Sequence, residues 1–234
     1  MREVLCPSEF QEGTFEERLN RFLVSVRVEG KTERAHLPNS GRLKELLVRG
    51  RRVLLVPSRS RGRKTPFDLW GVEGDRGWVC IDSRMANNLF LRALRSGLIP
   101  EFRGDEEVER EVTLSGRRID FFLRQGGKGY WVEVKSVTLV KGDLALFPDA
   151  PTQRGTEHLR LLTSLRERGG GAGVFFIIQR GDARAFSPND ETDPQFASSL
   201  KDAAKRGVLV GAISFQVGRG WIGEGRRVPI TWPR

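Results

Sequence analysis

Two strand-like segments joined by a glycine turn constrain this chain more than any other feature. The first, residues 118–123, carries Asp120, and the second, residues 130–137, carries Glu133 and Lys135. Residues two apart on a strand point to the same face, so Glu133 and Lys135 project together and Asp120 can join them. Two adjacent carboxylates repel each other, and a hard divalent cation with oxygen ligands is the usual relief. The hairpin therefore predicts a metal site beside a lysine, a combination suited to hydrolysis of a phosphodiester.

A Glu-x-Lys triplet alone is weak evidence for such a site. Charged residues make up 30% of the chain, and alternating charges usually mark the solvated face of a strand. Glu29 and Lys31 are an internal control, because they have the same spacing but lie at a predicted turn. Glu133 and Lys135 lie in an otherwise apolar strand, where a buried acid and base are costly unless they have a role. The pattern leaves an active site and a solvated strand pair as alternatives, with Glu111, one predicted strand earlier, as a further candidate carboxylate.

A helix predicted over residues 153–168 would bring further polar side chains to the same region. Thr152 is placed to cap it, and Arg154 and His158 share one of its faces because they are four residues apart. The N-terminus of a helix favours an anion, as do nearby cations. Gln153, Arg154 and His158 are therefore predicted to bind the scissile phosphate. The alternative is a partly exposed helix with His158 as a surface residue.

The first third of the chain predicts a small β-barrel. Apolar and polar residues alternate with period two beside a turn at residues 29–32, which indicates a β-hairpin. Strands are expected at residues 22–28, 34–37, 52–56, 66–72 and 78–81, with a short helical piece at 42–47. Five short strands with one small helix are typical of an OB-like barrel, although other small barrels fit the same pattern.

The rest of the chain alternates strands with helices, which favours an α/β (α+β) domain with a mixed sheet. Helices are expected at residues 84–95, 153–168 and 194–206, and strands at 111–114, 118–123, 130–137, 172–179 and 208–217. Residues 218–234 are left unassigned. The expected domains are residues 1–82 and 83–234.

Lysine and arginine outnumber the acids by 40 to 30, and the net charge of +10 favours a polyanionic partner such as nucleic acid. For that contact, a loop with Arg59, Arg61, Arg63 and Lys64 is a better electrostatic candidate than the other segments of the barrel. The alternatives are a solvated loop and an arginine content raised across a whole genome. Two cysteines and the lack of a long apolar run predict a soluble, cytoplasmic protein without disulfides or a membrane partner.

Several segments of the chain resemble, in order, those of the sugar fermentation stimulation protein A (SfsA) family. The segments are residues 18–22, 35–42, 118–121, 132–139 and 147–159, of which the last two together are specific. The resemblance implies an N-terminal OB-like domain, a C-terminal domain similar to the PD-(D/E)XK nucleases, DNA as the partner and a role in regulating sugar metabolism. Ile119 stands where the name of that nuclease superfamily has proline, a residue that makes no metal contact.

The resemblance also implies roles for individual residues. Asp120 and Glu133 would bind Mg²⁺, for which Mn²⁺ is a substitute, and the backbone carbonyl of Val134 is a further candidate ligand. Lys135 would orient the attacking water or stabilise developing charge. The barrel residues in family-like segments that are candidates for DNA contact are Arg21, His36, Asn39 and Arg42, although residues 39–41 fit an ordinary turn equally well.

The leading hypothesis from the sequence is a Mg²⁺-dependent deoxyribonuclease. The competing hypothesis is a DNA-binding regulator that retains the nuclease fold without using it, and a third is RNA processing. Two further questions stay open at this point: whether the DNA is single- or double-stranded, and whether the chain forms a homo-oligomer.

Overall fold

Five strands close into a barrel in the computed structural model, which describes residues 9–58, 63–104 and 106–233. The strands are β1 (Gln11–Asn20), β2 (Leu23–Val28), β3 (Lys31–His36), β4 (Arg52–Pro57) and β5 (Phe67–Gly74). They pair antiparallel in the order β3-β2-β1-β4-β5, and a parallel pairing of β3 with β5 closes the ring. A sixth strand, β6 (Gly77–Cys80), extends the sheet beyond β5. The predicted OB-like barrel is therefore confirmed.

The barrel closes around apolar side chains that alternate along its strands. Val24, Val26 and Val28 of β2 are buried and belong to one core with Leu55 of β4 and Leu69 of β5. Successive residues of a strand point to opposite faces, so this spacing gives β2 a continuous apolar face. Full burial of each such side chain contributes about 1.5–3 kcal/mol. The period-two pattern in the sequence thus predicted the inward face of β2 correctly.

The sequence predicted five barrel strands, but it did not identify the correct five. It missed β1, in which Phe15 is the one buried residue and most other positions are polar. Backbone pairing to β2 on one side and β4 on the other holds this strand, so it needs no periodic apolar pattern. The strand predicted at residues 78–81 is β6, outside the closed ring. The helical piece expected at residues 42–47 is wrong, because the segment forms turns and Leu43 has a left-handed backbone (φ 52°).

A mixed sheet and three helices follow the barrel in the described part of the chain. In chain order the elements are α1 (Met85–Arg95), β7 (Glu107–Leu114), β8 (Arg117–Gln125), β9 (Lys128–Val137), β10 (Val140–Lys141), β11 (Leu144–Phe147), α2 (Gln153–Glu167), β12 (Gly171–Ile178), β13 (Ala185–Pro188), α3 (Pro194–Lys205), β14 (Leu209–Gly218) and β15 (Trp221–Arg227). The main sheet has the order β15-β14-β12-β9-β8-β7, in which β7, β8 and β9 are antiparallel and β9, β12 and β14 are parallel. Strands β10, β11 and β13 form a smaller sheet. The expected α/β (α+β) class with a mixed sheet is confirmed.

Side-chain caps explain why α2 and α3 begin where they do. The Thr152 hydroxyl accepts from the N–H of Gly155 at 3.1 Å, as the sequence predicted, and the Asp193 carboxylate accepts from the N–H of Phe196 at 2.9 Å. The sequence missed β10, β11, β13 and β15. The first three have two to four residues each, and β15 contains two glycines, so none gives a clear strand pattern.

The described residues divide into two compact units. One contains the residues up to 85 together with 179–182 and 215–224, and the other contains 86–178, 183–214 and the residues from 225 on. The predicted domains, residues 1–82 and 83–234, stay a prediction. Among the described helices, none has both the length and the apolar character needed to cross a membrane.

Candidate active site

The candidate site forms where β8 and β9 stop pairing. Their antiparallel register ends with Phe121 opposite Val132. Beyond that pair, the N–H of Val134 donates to Oδ2 of Asp120 at 2.8 Å rather than to a strand carbonyl. The N–H and C=O of a strand residue point to the same side, so the Val134 carbonyl also faces β8. The fork between the two strands thus brings Asp120 and the Val134 backbone side by side.

Glu133 is a buried carboxylate, 4% exposed, whose two oxygens have different surroundings. Oε1 lies 2.5 Å from Nζ of Lys135 and 2.5 Å from Nδ1 of His158. Oε2 is buried and has no hydrogen-bond partner among the described residues. Burial opposes ionisation, but the Lys135 charge and the contact with His158 outweigh it and lower the pKa of Glu133. Glu133 is therefore an ionised acid with one oxygen available to a further ligand.

Asp120 has the opposite electrostatic balance. Burial, followed by the negative charge of Glu133, raises the pKa of Asp120. Hydrogen bonds from the Val134 N–H and, at 3.2 Å, from Nδ2 of Asn87 act against that rise but do not reverse it. The two carboxylates therefore repel each other, and a cation between them would relieve that repulsion.

The donors at this fork suit a hard divalent cation. An unsatisfied buried acceptor is costly, and a cation would satisfy Oε2 of Glu133. Within the part of the chain that the structure describes, no three His, Cys, Asp or Glu side chains form a metal-binding group. The protein would thus supply two carboxylates and the Val134 carbonyl. Mg²⁺ is usually held by one or two carboxylates together with substrate phosphates and water, so this incomplete set fits Mg²⁺.

Helix α2 brings His158 into the site and leaves Gln153 and Arg154 at the surface. His158 is 2% exposed and lies against Glu133, so the alternative of a surface histidine is wrong. Gln153 and Arg154 are exposed in the first turn of the helix, and the Gln153 amide donates to Glu157 at 3.2 Å. Arg154 lies one helical turn before His158, on the same face. The structure therefore groups Asp120 with Glu133, Lys135 and His158, while Gln153 and Arg154 are exposed at the start of α2.

Asn87 of α1 is a site residue that the sequence did not reveal. Its contact with Asp120 joins positions 33 apart in the chain, and no local spacing rule predicts such a pair. Glu111, the further candidate carboxylate, has a left-handed backbone (φ 55°) and an exposed side chain 3.5 Å from Arg118. The solvated interpretation of Glu111 is therefore correct.

Several nucleic-acid candidates of the barrel flank one row of cross-strand partners. Leu23 of β2 pairs with His36 of β3, which in turn pairs with Asp68 of β5. Nδ1 of His36 lies 3.1 Å from Oδ1 of Asp68, and the Arg63 guanidinium binds the same carboxylate. The β1–β2 turn, which contains Arg21, and the β4–β5 loop, which contains Arg63, thus lie on either side of His36. Asp68 joins the group without any motif that would have predicted it.

The remaining barrel candidates differ in the hydrogen bonds and the exposure of their side chains. Asn39 donates from Nδ2 to a backbone carbonyl at 2.9 Å and accepts at Oδ1 from a backbone N–H at 2.8 Å, as in an ordinary turn. Arg42 and Lys64 are exposed. Arg59 and Arg61 lie outside the described residues. The turn interpretation thus accounts for Asn39, while Arg42 and Lys64 present their charge to solvent.

Two family models match consecutive parts of the chain. The SfsA N-terminal OB domain matches residues 17–81, and the sugar fermentation stimulation protein RE domain matches residues 84–220. A sugar fermentation stimulation protein homolog from Caldanaerobacter subterraneus subsp. tengcongensis is 43% identical over 220 residues, which cover 94% of this chain and 96% of the homolog. Another homolog, from Acetivibrio thermocellus, is 49% identical over 201 residues, which cover 86% of each chain.

A solved structure agrees with the sequence matches. The structure of Pyrococcus furiosus SfsA in complex with Ca²⁺ has a TM-score of 0.90 and 30% sequence identity to this chain, and the match covers 99% of both chains. Both halves of the chain, the barrel and the mixed sheet with its helices, are included in that agreement. This chain therefore belongs to the sugar fermentation stimulation protein (SfsA) family.

Proposed function

We propose that this protein is a Mg²⁺-dependent nuclease that hydrolyses phosphodiester bonds of DNA. The observation that carries the proposal is the buried Oε2 of Glu133, which has no partner among the described residues, beside the repelling carboxylate of Asp120. Neither feature stabilises the fold, because an unsatisfied buried acceptor and two adjacent acids both cost free energy. A divalent cation would turn both into ligand contacts. The related Pyrococcus furiosus protein was solved with Ca²⁺, which also prefers oxygen ligands.

Asp120, Glu133 and the Val134 carbonyl would hold Mg²⁺, and Mn²⁺ would substitute because it accepts the same oxygen ligands. Such a cation lowers the pKa of a bound water and polarises the phosphate. Nζ of Lys135 lies 2.5 Å from Glu133, so its positive charge is held where charge develops on the phosphate oxygens. His158 holds the same Glu133 oxygen and so fixes the orientation of the carboxylate.

The first turn of α2 would bind the phosphate next to the cleaved bond. Arg154 is exposed there, and the positive end of the helix dipole adds to its charge. Gln153 would donate a hydrogen bond to the same group once it leaves Glu157. These contacts hold the reacting phosphate in place, which lowers the entropic part of the barrier.

The barrel would supply most of the affinity for DNA. The net charge of +10 favours a polyanion, and the barrel candidates include the exposed cations Arg21, Arg42 and Lys64. Phosphate contacts of this kind position a nucleic acid without reading its sequence. The barrel would therefore bind the DNA, and the residues at the β8–β9 fork would cleave it.

One observation favours a second candidate, a DNA-binding regulator without catalytic activity. Lys135 and His158 already bind Oε1 of Glu133, so the carboxylate is partly neutralised without a metal. Homologs of the chain are named for stimulation of sugar fermentation, a name that fits a regulator. A regulator would bind DNA after loss of Asp120 and would cut no form of it.

A metal titration distinguishes the two candidates. Purified protein is incubated with single-stranded, duplex and branched DNA, and with RNA at matched salt, in EDTA and then with increasing Mg²⁺ or Mn²⁺. The nuclease predicts no cleavage in EDTA and cleavage of at least one DNA form with metal. Tight DNA binding without cleavage of any substrate at saturating metal would exclude the nuclease and support the regulator.

A further inference from the structure

The turn between β1 and β2 presents an aromatic side chain to solvent. Phe22 is 47% exposed, more than any other large apolar side chain of the described residues. Leu19, near the end of β1 and three residues before Phe22, is 42% exposed. Single exposed apolar residues are ordinary on protein surfaces, so exposure alone assigns no role to Phe22.

Hydrogen bonds from one side chain hold the backbone that carries Phe22. The Arg18 guanidinium donates to four carbonyl oxygens: from Nε to Asn20 at 3.2 Å, from Nη2 to Arg21 at 2.8 Å, and from Nη1 to Gly41 and Arg42 at 2.7 Å each. The donors of a guanidinium form a rigid planar fork, so this one side chain fixes the β1–β2 turn to the 41–42 segment.

Phe22 itself is held at both of its backbone polar groups. Its N–H donates to Oδ1 of Asn20 at 2.9 Å, and its carbonyl accepts from the N–H of Leu37 at 2.9 Å. A ligand that contacts the ring would therefore not have to order the turn, because its backbone is already fixed. Preorganisation of this kind is a feature of binding surfaces, since it removes an entropic cost from association.

One cation lies over the exposed ring, and another is exposed on the segment tied to the turn. The Arg21 guanidinium carbon lies 5.3 Å from the centroid of the Phe22 ring. Arg42 is exposed on the segment that Arg18 ties to the turn. A flat apolar face among positive charges matches a ligand that carries planar rings and phosphates together.

We propose that this turn is a stacking platform for single-stranded nucleic acid: one base stacks on Phe22, and the flanking phosphates contact Arg21 and Arg42. Bases of a duplex are stacked on each other and do not offer a free face, whereas those of a single strand do. Arg18 is the positioning residue that keeps the platform rigid. The inference rests on the proposed function in taking nucleic acid as the partner, and it names the form of nucleic acid that the barrel prefers.

The test measures binding in EDTA, so that it does not depend on cleavage. Fluorescence anisotropy is recorded with a labelled oligothymidine of about 15 nucleotides and with a duplex of the same length. Phe22→Ala should weaken single-strand binding by about 5- to 150-fold and change duplex binding much less, whereas Phe22→Trp should retain it. Arg18→Lys keeps the charge but not the fork, and it should weaken single-strand binding as well. Trp221→Ala, which removes another exposed aromatic, should leave affinity unchanged.

Salt dependence separates stacking from charge. Arg42→Ala should reduce the slope of log affinity against log salt by about 0.7, the value for one phosphate contact on a single strand. Phe22→Ala should lower affinity without changing that slope. Thermal melts of all variants show whether each one is folded.

Three results would overturn the platform: Phe22→Ala with unchanged single-strand affinity, equal loss on single strand and duplex, or wild-type protein that binds no single strand. The first two leave the nuclease proposal standing, because cleavage depends on Asp120 and not on Phe22. Single-strand binding that requires Phe22 in a protein that never cuts would support the platform and remove the nuclease.

Discussion

Nδ1 of His158 lies 2.5 Å from Oε1 of Glu133, and both side chains are almost fully buried. The contact connects α2 to β9. Lys135 binds the same oxygen, so the acid is held between two basic groups while its other oxygen has no partner among the described residues. Oε1 of Glu133 thus makes contacts within the fold, whereas Oε2 is available to a ligand.

Glu133→Gln should destabilise the protein. The substitution leaves Lys135 and His158 without their anionic partner in a largely buried position, at a cost of about 1–3 kcal/mol. For a chain of this size, that corresponds to a fall in Tm of roughly 2–12 °C, measured by circular dichroism. Glu29→Gln is the matched control, since it changes the same triplet at an exposed turn and should leave Tm within about 1 °C. Equal Tm values for the two variants would show that the Glu133 contacts do not stabilise the fold.

Asp120→Asn should have the opposite effect on the metal-free protein. The pKa of Asp120 is raised in the folded state, so its contribution to stability is complete below the unfolded pKa and is lost as pH rises through the folded pKa. Asparagine does not ionise, so the variant does not lose this stability as pH rises. Its Tm at neutral pH should rise by roughly 2–4 °C for each ~1 kcal/mol gained in the free energy of unfolding. The gain should vanish below about pH 4, near the unfolded pKa. A lower Tm at neutral pH would contradict the raised pKa of Asp120, which burial and then the charge of Glu133 cause.

Asn87→Ala should weaken the site without removing a proposed ligand. The Asn87 amide donates to Asp120 at 3.2 Å, and the loss of such a supporting contact typically costs 10- to 100-fold in metal affinity or activity. Ca²⁺ affinity from calorimetry and the cleavage rate should fall together. Asn88→Ala is the neighbouring control, because that amide contacts exposed Arg110 instead. Equal effects of the two substitutions would remove the assigned role of Asn87.

Asp68→Ala should destabilise the barrel, and more so at neutral than at low pH. Burial opposes ionisation of Asp68, but Arg63 and Arg84 outweigh it and lower its pKa. The resulting stability is present above the unfolded pKa and is lost as pH falls through the folded pKa. A loss of about 1–2 kcal/mol is expected at pH 7 in urea denaturation, shrinking below about pH 4. Asp75→Ala, at a carboxylate whose side chain is 86% exposed, should change stability by less than about 0.5 kcal/mol.

Local periodicity and capping predicted much of the fold, and pairs distant in the chain account for the rest. The alternation in β2 and the Thr152 cap are short-range features, and both are present in the structure. Strand β1 was missed because hydrogen bonds to β2 and β4 hold it in the sheet although it has no periodic apolar face. At the site, Glu133 and Lys135 follow from strand spacing, whereas the contact of Asn87 with Asp120 depends on how α1 packs against β8, which no local pattern contains.

The most direct test of the proposed nuclease compares wild type with Asp120→Asn for Mg²⁺-dependent cleavage of DNA, with DNA binding in EDTA as the control for folding. We expect wild type to cut only with the metal, and the variant to bind DNA as wild type does but to cut at least about 100-fold more slowly. Wild-type protein that does not cut with Mg²⁺, or a variant that cuts as fast as wild type, would contradict the proposed nuclease.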